Sequence, residues 1–483
     1  MSLERQIFRG VSWMAFFNFF SQIFSWVITI IIARILVPGD YGLMSMSTII
    51  TGYAMILSEL GLGNAIIQRQ KVNATELSSV FWFAMLITTI LAVSCFPIAY
   101  ITSSIMHEPR VIPITKAVSI IFLLNGLEVI PSSLLRKRLD FKSVGLIDMI
   151  CVILSSISMI IIAKMHGGVW TLIGGHIVRS FFRTILLFFK SGWLPVFHFN
   201  FKEACPLITF GLISALGRSI FYVQGQADKF FAGRTWNANI LGFYSMALEL
   251  SQLPTDKITS LINNVSYPAF AQIQNDHQAF NKLYLNISKI TVLIVLPLFL
   301  GGALIGDNVI KVLLNEKWYP IINIFRLLCI AQIFTSMNAI NGFVNTAQGK
   351  PQMGLLYNTL LLIFMPVSFY FAVKFGLNAI VIPWLTIYVL LCIFWIFITL
   401  RILKIPILTY CLNLRTPFIG TSILCIVLFF LKKCTVPFFI NREIHEIVTL
   451  LMLILSGGIA YFGFLWIVDK QFILNLKKLT KQE

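Results

Sequence analysis

Ser245, Glu249, Gln252, Asp256, Ser260 and Asn263 fall at steps of 4, 3, 4, 4 and 3 in a stretch otherwise rich in apolar residues. That spacing holds side chains on one face of an α-helix. Milder stripes recur as Asn18, Gln22, Ser25 and Thr29, as Ser45, Thr48, Gly52 and Glu59, and as Arg218 followed by Asp228 and Lys229. Polar and ionisable groups on apolar helices are expensive in hydrocarbon, so they turn toward a bundle interior or a water-filled cavity and suggest function by default. The chemistry such stripes offer is the binding of a polar solute in a hydrophilic cavity. A plainer reading stands beside it for each group. Asp228–Lys229 and Asp256–Lys257 also read as ion pairs near helix ends, with lysine reaching the interface. Arg34 and Arg234 also read as helix-boundary residues, Glu59 and Glu128 as local caps or pairs, and Arg326 as a structural hydrogen-bond donor. Arg218 carries both readings.

Bond-making chemistry finds no signature. The sequence has no Gly-x-x-x-x-Gly-Lys-Ser/Thr phosphate loop and no His-Glu-x-x-His, since His445-Glu446 lacks its partner. It has no Gly-x-Ser-x-Gly elbow. The six His are dispersed, and the eight Cys contain no Cys-x-x-Cys pair. Most Cys sit in apolar runs, where they read as small buried hydrophobes. No cofactor, metal site or enzymatic role is expected.

The elements that must carry these stripes follow from composition. Of the 483 residues, 58% are hydrophobic and only 12% charged, where a soluble domain carries about 25% charged residues. A helix needs about 20 apolar residues to cross the hydrocarbon core, and only helices or closed barrels satisfy their backbone there. Apolar runs lie at 11–33, 41–65, 78–103, 111–134, 144–163, 167–189, 205–233, 241–263, 288–306, 320–345, 354–373, 376–400, 415–431 and 445–468. The chain is therefore expected to be an all-α integral membrane protein of about fourteen transmembrane helices. The net charge of +18 reads as topology and headgroup contact, with no nucleic-acid partner. Placing the termini and even-numbered loops inside gives those segments a roughly twofold excess of Lys and Arg, which predicts cytoplasmic termini. Lys432 and Lys433, in an outer loop, run against that bias.

A shift of 200 positions lays Arg34 on Arg234, Gly42 on Gly242, Ser45 on Ser245 and Met46 on Met246. Six intervening helices preserve orientation, which implies two parallel six-helix lobes around a central hydrophilic cavity, a transporter architecture. The expected division is an N-lobe at 1–200, a C-lobe at 201–405, and two further helices with a basic tail at 406–483.

Several segments in register match a known family. They include Ala33-Arg-Ile-Leu-Val-Pro-Gly-Asp-Tyr-Gly-Leu43, Ser58-Glu-Leu-Gly-Leu-Gly-Asn-Ala-Ile-Ile-Gln-Arg69, Leu135-Arg-Lys-Arg-Leu-Asp-Phe-Lys142, Asp228-Lys-Phe-Phe-Ala-Gly-Arg234 and Leu253-Pro-Thr-Asp-Lys-Ile-Thr-Ser260. Across roughly residues 1–410 the chain resembles the Wzx-type polysaccharide flippases of the multidrug/oligosaccharidyl-lipid/polysaccharide exporter superfamily, nearest the colanic-acid-exporter branch. The resemblance implies a MATE/MurJ-like fold in the bacterial inner membrane. It implies translocation of an undecaprenyl-diphosphate-linked oligosaccharide, with a polysaccharide polymerase and chain-length machinery as partners. On that reading Arg34, Arg218, Lys229 and Lys257 meet the anionic diphosphate, and Gln22, Gln252 and Asn263 meet sugar hydroxyls. Glu59, Asp228, Glu249 and Asp256 are candidates for a coupling cation. A cation-coupled multidrug antiporter would want an acidic or apolar pocket, and a membrane polysaccharide polymerase a large outer loop. Neither matches these residues as well.

Overall fold

The computed structural model describes residues 3–59, 61–69, 72–201, 205–209, 211, 219, 222–274, 276–434 and 442–469. Among them every regular element is helical. They fall into two compact units, residues 1–242 and 243–483.

The first unit contains α1 (Leu3–Ile35), α2 (Pro38–Glu59), α3 (Leu62–Gln68), α4 (Ala74–Met106), α5 (Val111–Lys137), α6 (Phe141–Lys164), α7 (Trp170–Ser191) and α8 (Ala227–Thr235). Its core is built by α4 on α5, α1 on α6, α6 on α7, and α5 on both α7 and α2. α9 (Ala238–Gln272) begins there and leads into the second unit. That unit holds α10 (His277–Leu304), α11 (Gly306–Leu313), α12 (Ile322–Ala347), α13 (Pro351–Ala372), α14 (Ile382–Leu385), α15 (Ile387–Leu403), α16 (Ile407–Asn413), α17 (Arg415–Cys434) and α18 (Arg442–Val468).

Eleven helices among the described residues are long and apolar enough to cross a membrane. α2 and α9 are 22 and 35 residues long but fall outside that set. Both carry polar stripes, which lower hydropathy without shortening the helix. The fourteenth expected span, 205–233, is interrupted by ten residues outside those described, and its end forms α8. The outward faces are apolar, with Phe96, Ile90, Phe364, Ile393 and Ile459 all exposed, as befits helices solvated by lipid chains.

Two expected spans are broken. The run at 41–65 ends at Glu59 and restarts at Leu62, because Gly61 takes a left-handed φ of 61° that an α-helix cannot continue through. The run at 376–400 opens as short turns and becomes regular only from Ile387, after Pro383. Proline lacks the N–H the ladder needs and disfavours helix before it.

The repeat at offset 200 appears in the backbone. α1 ends at Ile35 and α2 begins at Pro38, while α8 ends at Thr235 and α9 begins at Ala238. Arg34 and Arg234 occupy the last turns of α1 and α8. A Cβ on Gly42 would overlap the Ala238 carbonyl, and one on Gly242 would overlap the Pro38 carbonyl. Four positions paired by the repeat thus cross each other reciprocally, and only glycine permits so close an approach.

Candidate functional site

The first unit encloses a cavity of about 440 Å³, within the usual range of small-ligand sites. Its walls come from the α2–α3 corner, α5 and α7. On α5, Asn125, Glu128, Ser132 and Arg136 follow at steps of 3, 4 and 4. On α7, His176, Arg179 and Arg183 follow at steps of 3 and 4. Both sets are single helix faces, and they are turned toward each other. The Thr184 hydroxyl donates to the Leu124 carbonyl at 3.2 Å, fixing α7 on α5 between these faces. Gly61 and Gly63 line the cavity from the corner; the turn that ends α2 also clears room for it.

Arg183 organises the charges. Its Nη1 donates to Glu128 Oε1 on α5, and its Nε donates to Asp148 Oδ1 on α6 at 2.8 Å. All three side chains are largely buried. One guanidinium therefore ties three helices together, and its fork suits that task where a lysine ammonium would not. The network is left incomplete at one point, since Glu128 Oε2 is buried with no hydrogen-bond partner. Arg136 and Arg179 line the same cavity, and neither has an ion-pair partner among the described residues. Three arginines against the carboxylates of Glu128 and Asp148 leave the site at +1 with His176 neutral. A net cationic cavity suits an anion, and arginine is the residue that grips phosphate oxygens in pairs.

Of the residues proposed from sequence to bind substrate or a coupling ion, the described ones do not line this cavity. Gln22 is half-buried on α1, and Arg34 is exposed at its end. Asp228 is buried in the first turn of α8, its Oδ1 accepting from the Lys229 backbone N–H at 2.7 Å, while the Lys229 side chain is half-buried. On α9 the expected stripe occupies one continuous helix. Glu249, Asp256 and Lys257 are exposed and Gln252 is half-buried, whereas Ala247, Ser251 and Thr255 face inward. Thr255 donates to Gln332 on α12 at 3.0 Å. The side chains of Glu59 and Asn263, and the whole of Arg218, lie outside the described residues.

Sequence reasoning missed Arg179, Arg183, His176 and Asn125. The signal was available, because the α7 set shows the same 3–4 spacing that marked α9. Arg136 falls between two apolar runs and counts from sequence only toward the inside charge bias, and Glu128 reads as a local cap or pair; both line the cavity.

Residues 31–323 match a family model described as "Polysaccharide biosynthesis protein". The chain belongs to this family. Among curated relatives, it is 26% identical over 365 residues to the lipopolysaccharide biosynthesis protein WzxC of Escherichia coli (strain K12), covering 74% of this chain and 73% of that one. It is 22% identical to the teichuronic acid biosynthesis protein TuaB of Bacillus subtilis (strain 168) over 100% of this chain and 99% of the relative. Among solved structures, the lipid II flippase MurJ in an inward closed conformation aligns with a TM-score of 0.75 at 15% identity, over 95% of this chain and 99% of its own. An inward-facing multidrug resistance MATE family transporter of the MOP superfamily aligns with a TM-score of 0.63 at 14% identity, over 79% and 94%. The fold is thus that of the MurJ and MATE proteins, and the chain is a multi-pass membrane protein.

Proposed function

We propose that this chain is a flippase carrying undecaprenyl-diphosphate-linked oligosaccharide repeat units across the bacterial inner membrane for exopolysaccharide, capsule or O-antigen synthesis. The observation that carries the reading is the arginine-lined cavity of the first unit, a net cationic chamber among membrane helices. A diphosphate is the anionic part of such a substrate, and Arg136, Arg179 and Arg183 are its first ligands. Names of polysaccharide biosynthesis recur among the relatives, and MurJ, a lipid II flippase, shares the fold. Arg34, Lys229, Lys257, Gln22 and Gln252 are further candidates to meet the substrate, and Asp228, Glu249 and Asp256 are offered for ion coupling. The chain performs no covalent chemistry on its cargo. Its lobes are residues 1–200 and 201–405 with an appended 406–483, and both termini lie in the cytoplasm.

A drug antiporter handling organic cations would place them in a chamber of the wrong sign. The test is genetic and chemical together. Deleting the gene is expected to abolish surface polysaccharide and to build up lipid-linked repeat units in the cytoplasmic leaflet. Arg179→Ala, present in the membrane at normal abundance, is expected to fail to restore export. Normal surface polysaccharide in the deletion strain, with no such build-up, overturns the reading.

A further inference from the structure

Arg183 is already engaged. Its guanidinium is shared between Glu128 and Asp148, so the cavity holds an internal anion pair where a ligand anion would seek its strongest partner. The two acids are not equivalent. Asp148 meets the Nε edge from α6, whereas Glu128 belongs to the cavity wall, meets a terminal nitrogen, and keeps its second oxygen buried without a partner. A ligand approaching from the cavity therefore competes with Glu128 first.

Resting on the anion-cavity reading above, we propose that Glu128 is an internal counter-anion which the substrate's phosphate displaces from Arg183, taking up one proton from solvent as it is displaced. The physical reason is the cost of leaving a carboxylate buried once its counterion has turned away. A buried ionised group without a partner shifts to its neutral form. Protonation adds an O–H to the carboxyl group, and when the anion leaves, the proton leaves with it and the Arg183–Glu128 pair re-forms. Anion binding and proton binding then favour each other, by the reciprocity that links any two coupled sites. The exchange also restrains the empty cavity from holding whatever small anion is at hand, because each must outcompete a built-in carboxylate.

The groups facing Glu128 support this assignment. α7 contributes Arg183, Arg179 and His176, α6 contributes Asp148, and α5 itself contributes Arg136 two turns further on. Among the described residues the α2–α3 corner presents Gly61, Gly63 and Ile67, none of which titrates. On α4, Thr88 lies against Gly126, and its Glu76 is held by Arg69. Among the described residues, Asp148 and His176 are thus the other groups at the cavity able to take the proton, and the experiment must separate them.

The probe is sulfate, a dianion that does not itself titrate near neutrality, added to the purified full-length protein. Calorimetry in two buffers of different ionisation enthalpy counts protons. Wild type is expected to take up about one proton per sulfate and to bind more tightly as pH falls, since a bound proton and a bound anion are linked. Glu128→Gln is expected to bind sulfate about tenfold more tightly and without proton uptake. Asp148→Asn and His176→Gln are expected to retain the uptake. Unchanged or weaker binding by Glu128→Gln overturns the proposal, as does uptake lost in Asp148→Asn or His176→Gln instead. If Glu128→Gln does not fold, a wild-type count of zero protons is sufficient to overturn it, and a count of about one that survives in Asp148→Asn and His176→Gln upholds it. Failure of the anion-cavity reading looks different: sulfate binding would then be absent, or insensitive to Arg136→Ala and Arg179→Ala.

Discussion

The two units solve the problem of polar groups in a membrane bundle in opposite ways. Among the described residues of the second unit the fully buried polar side chains are neutral, and several are joined in a chain. The Tyr284 hydroxyl donates to Asn341 Oδ1 at 2.9 Å, Asn341 Nδ2 to Asn338 Oδ1 at 3.4 Å, and Asn338 Nδ2 to the Tyr357 hydroxyl at 2.7 Å. Asn345 donates to Thr399 at 3.1 Å. These bonds cross-link α10, α12, α13 and α15. The unit's ion pairs among the described residues are Asp307 with Arg326 and Lys432, and Lys311 with Glu446, around α11 and the C-terminal hairpin, and Lys289 of α10 with Asp469 just past α18. Ser336 Oγ and Asn345 Oδ1 near the neutral network are left without partners and both are neutral, while Arg326 Nε, also without one, belongs to a guanidinium already paired with Asp307. In the first unit the cavity leaves a charged group incomplete, Glu128 Oε2. Leaving a neutral acceptor unpaired costs about 1–3 kcal/mol, and more for a charge. The second unit's network therefore reads as fixed structure, and the first unit's as a site held open for a ligand.

That contrast breaks most readily at Arg183. Arg183→Ala strands two buried carboxylates and is expected to destabilise the protein by about 3–5 kcal/mol, as loss of one partner from a buried pair does. Combining it with Glu128→Gln and Asp148→Asn is expected to recover most of that loss, because no buried charge then remains unpaired. Thermal unfolding in detergent reads both. If the triple variant is no more stable than Arg183→Ala, the ion triad is not what holds α5, α6 and α7 together.

A smaller effect is expected from Asn341→Ala. It removes the acceptor of the buried Tyr284 hydroxyl and one donor to Asn338, for about 1–3 kcal/mol of stability. Sulfate affinity should not change. A large loss of anion binding in this variant, with stability intact, would erase the distinction between a structural and a working network.

Much of this was legible in the sequence, for reasons that differ by element. Helices announced themselves because lipid demands length and apolarity of each span, so α4, α5 and α6 lie within a few residues of expectation. The offset-200 repeat was visible at Gly42 and Gly242, and the structure supplies the reason those glycines stand there. The breaks at Gly61 and before Ile387 were hidden because the apolar run continues through each. The cavity was harder. Spacing tells which side chains share a face of α7, but nothing local tells that the face meets α5. The Arg183–Asp148 bond depends on α6 packing beside α7, a tertiary fact absent from either helix's own sequence.

The comparison sharpens last at Asp307, where the second unit does hold charge. Asp307 lies in the first turn of α11, outside the spanning helices, and meets Lys432 of α17 and Arg326 of α12. Burial pushes its carboxyl upward, but the hydrogen bond and charge of Lys432, with Arg326, outweigh it and hold the pKa below the ordinary value. A carboxyl depressed on folding contributes stability that is fully present above its unfolded pKa of about 3.9 and is lost as pH falls through the lower folded value. Asp307→Asn is expected to cost about 1 kcal/mol at pH 7, because these side chains are only partly buried. It should also flatten the wild-type loss of stability below about pH 4, so that the two proteins converge in acid. Such convergence, with sulfate affinity unchanged throughout, would mark this cluster as a clasp joining the C-terminal hairpin to α11 and α12. A gap that widens in acid would mean the carboxylate costs more to bury than its partners return.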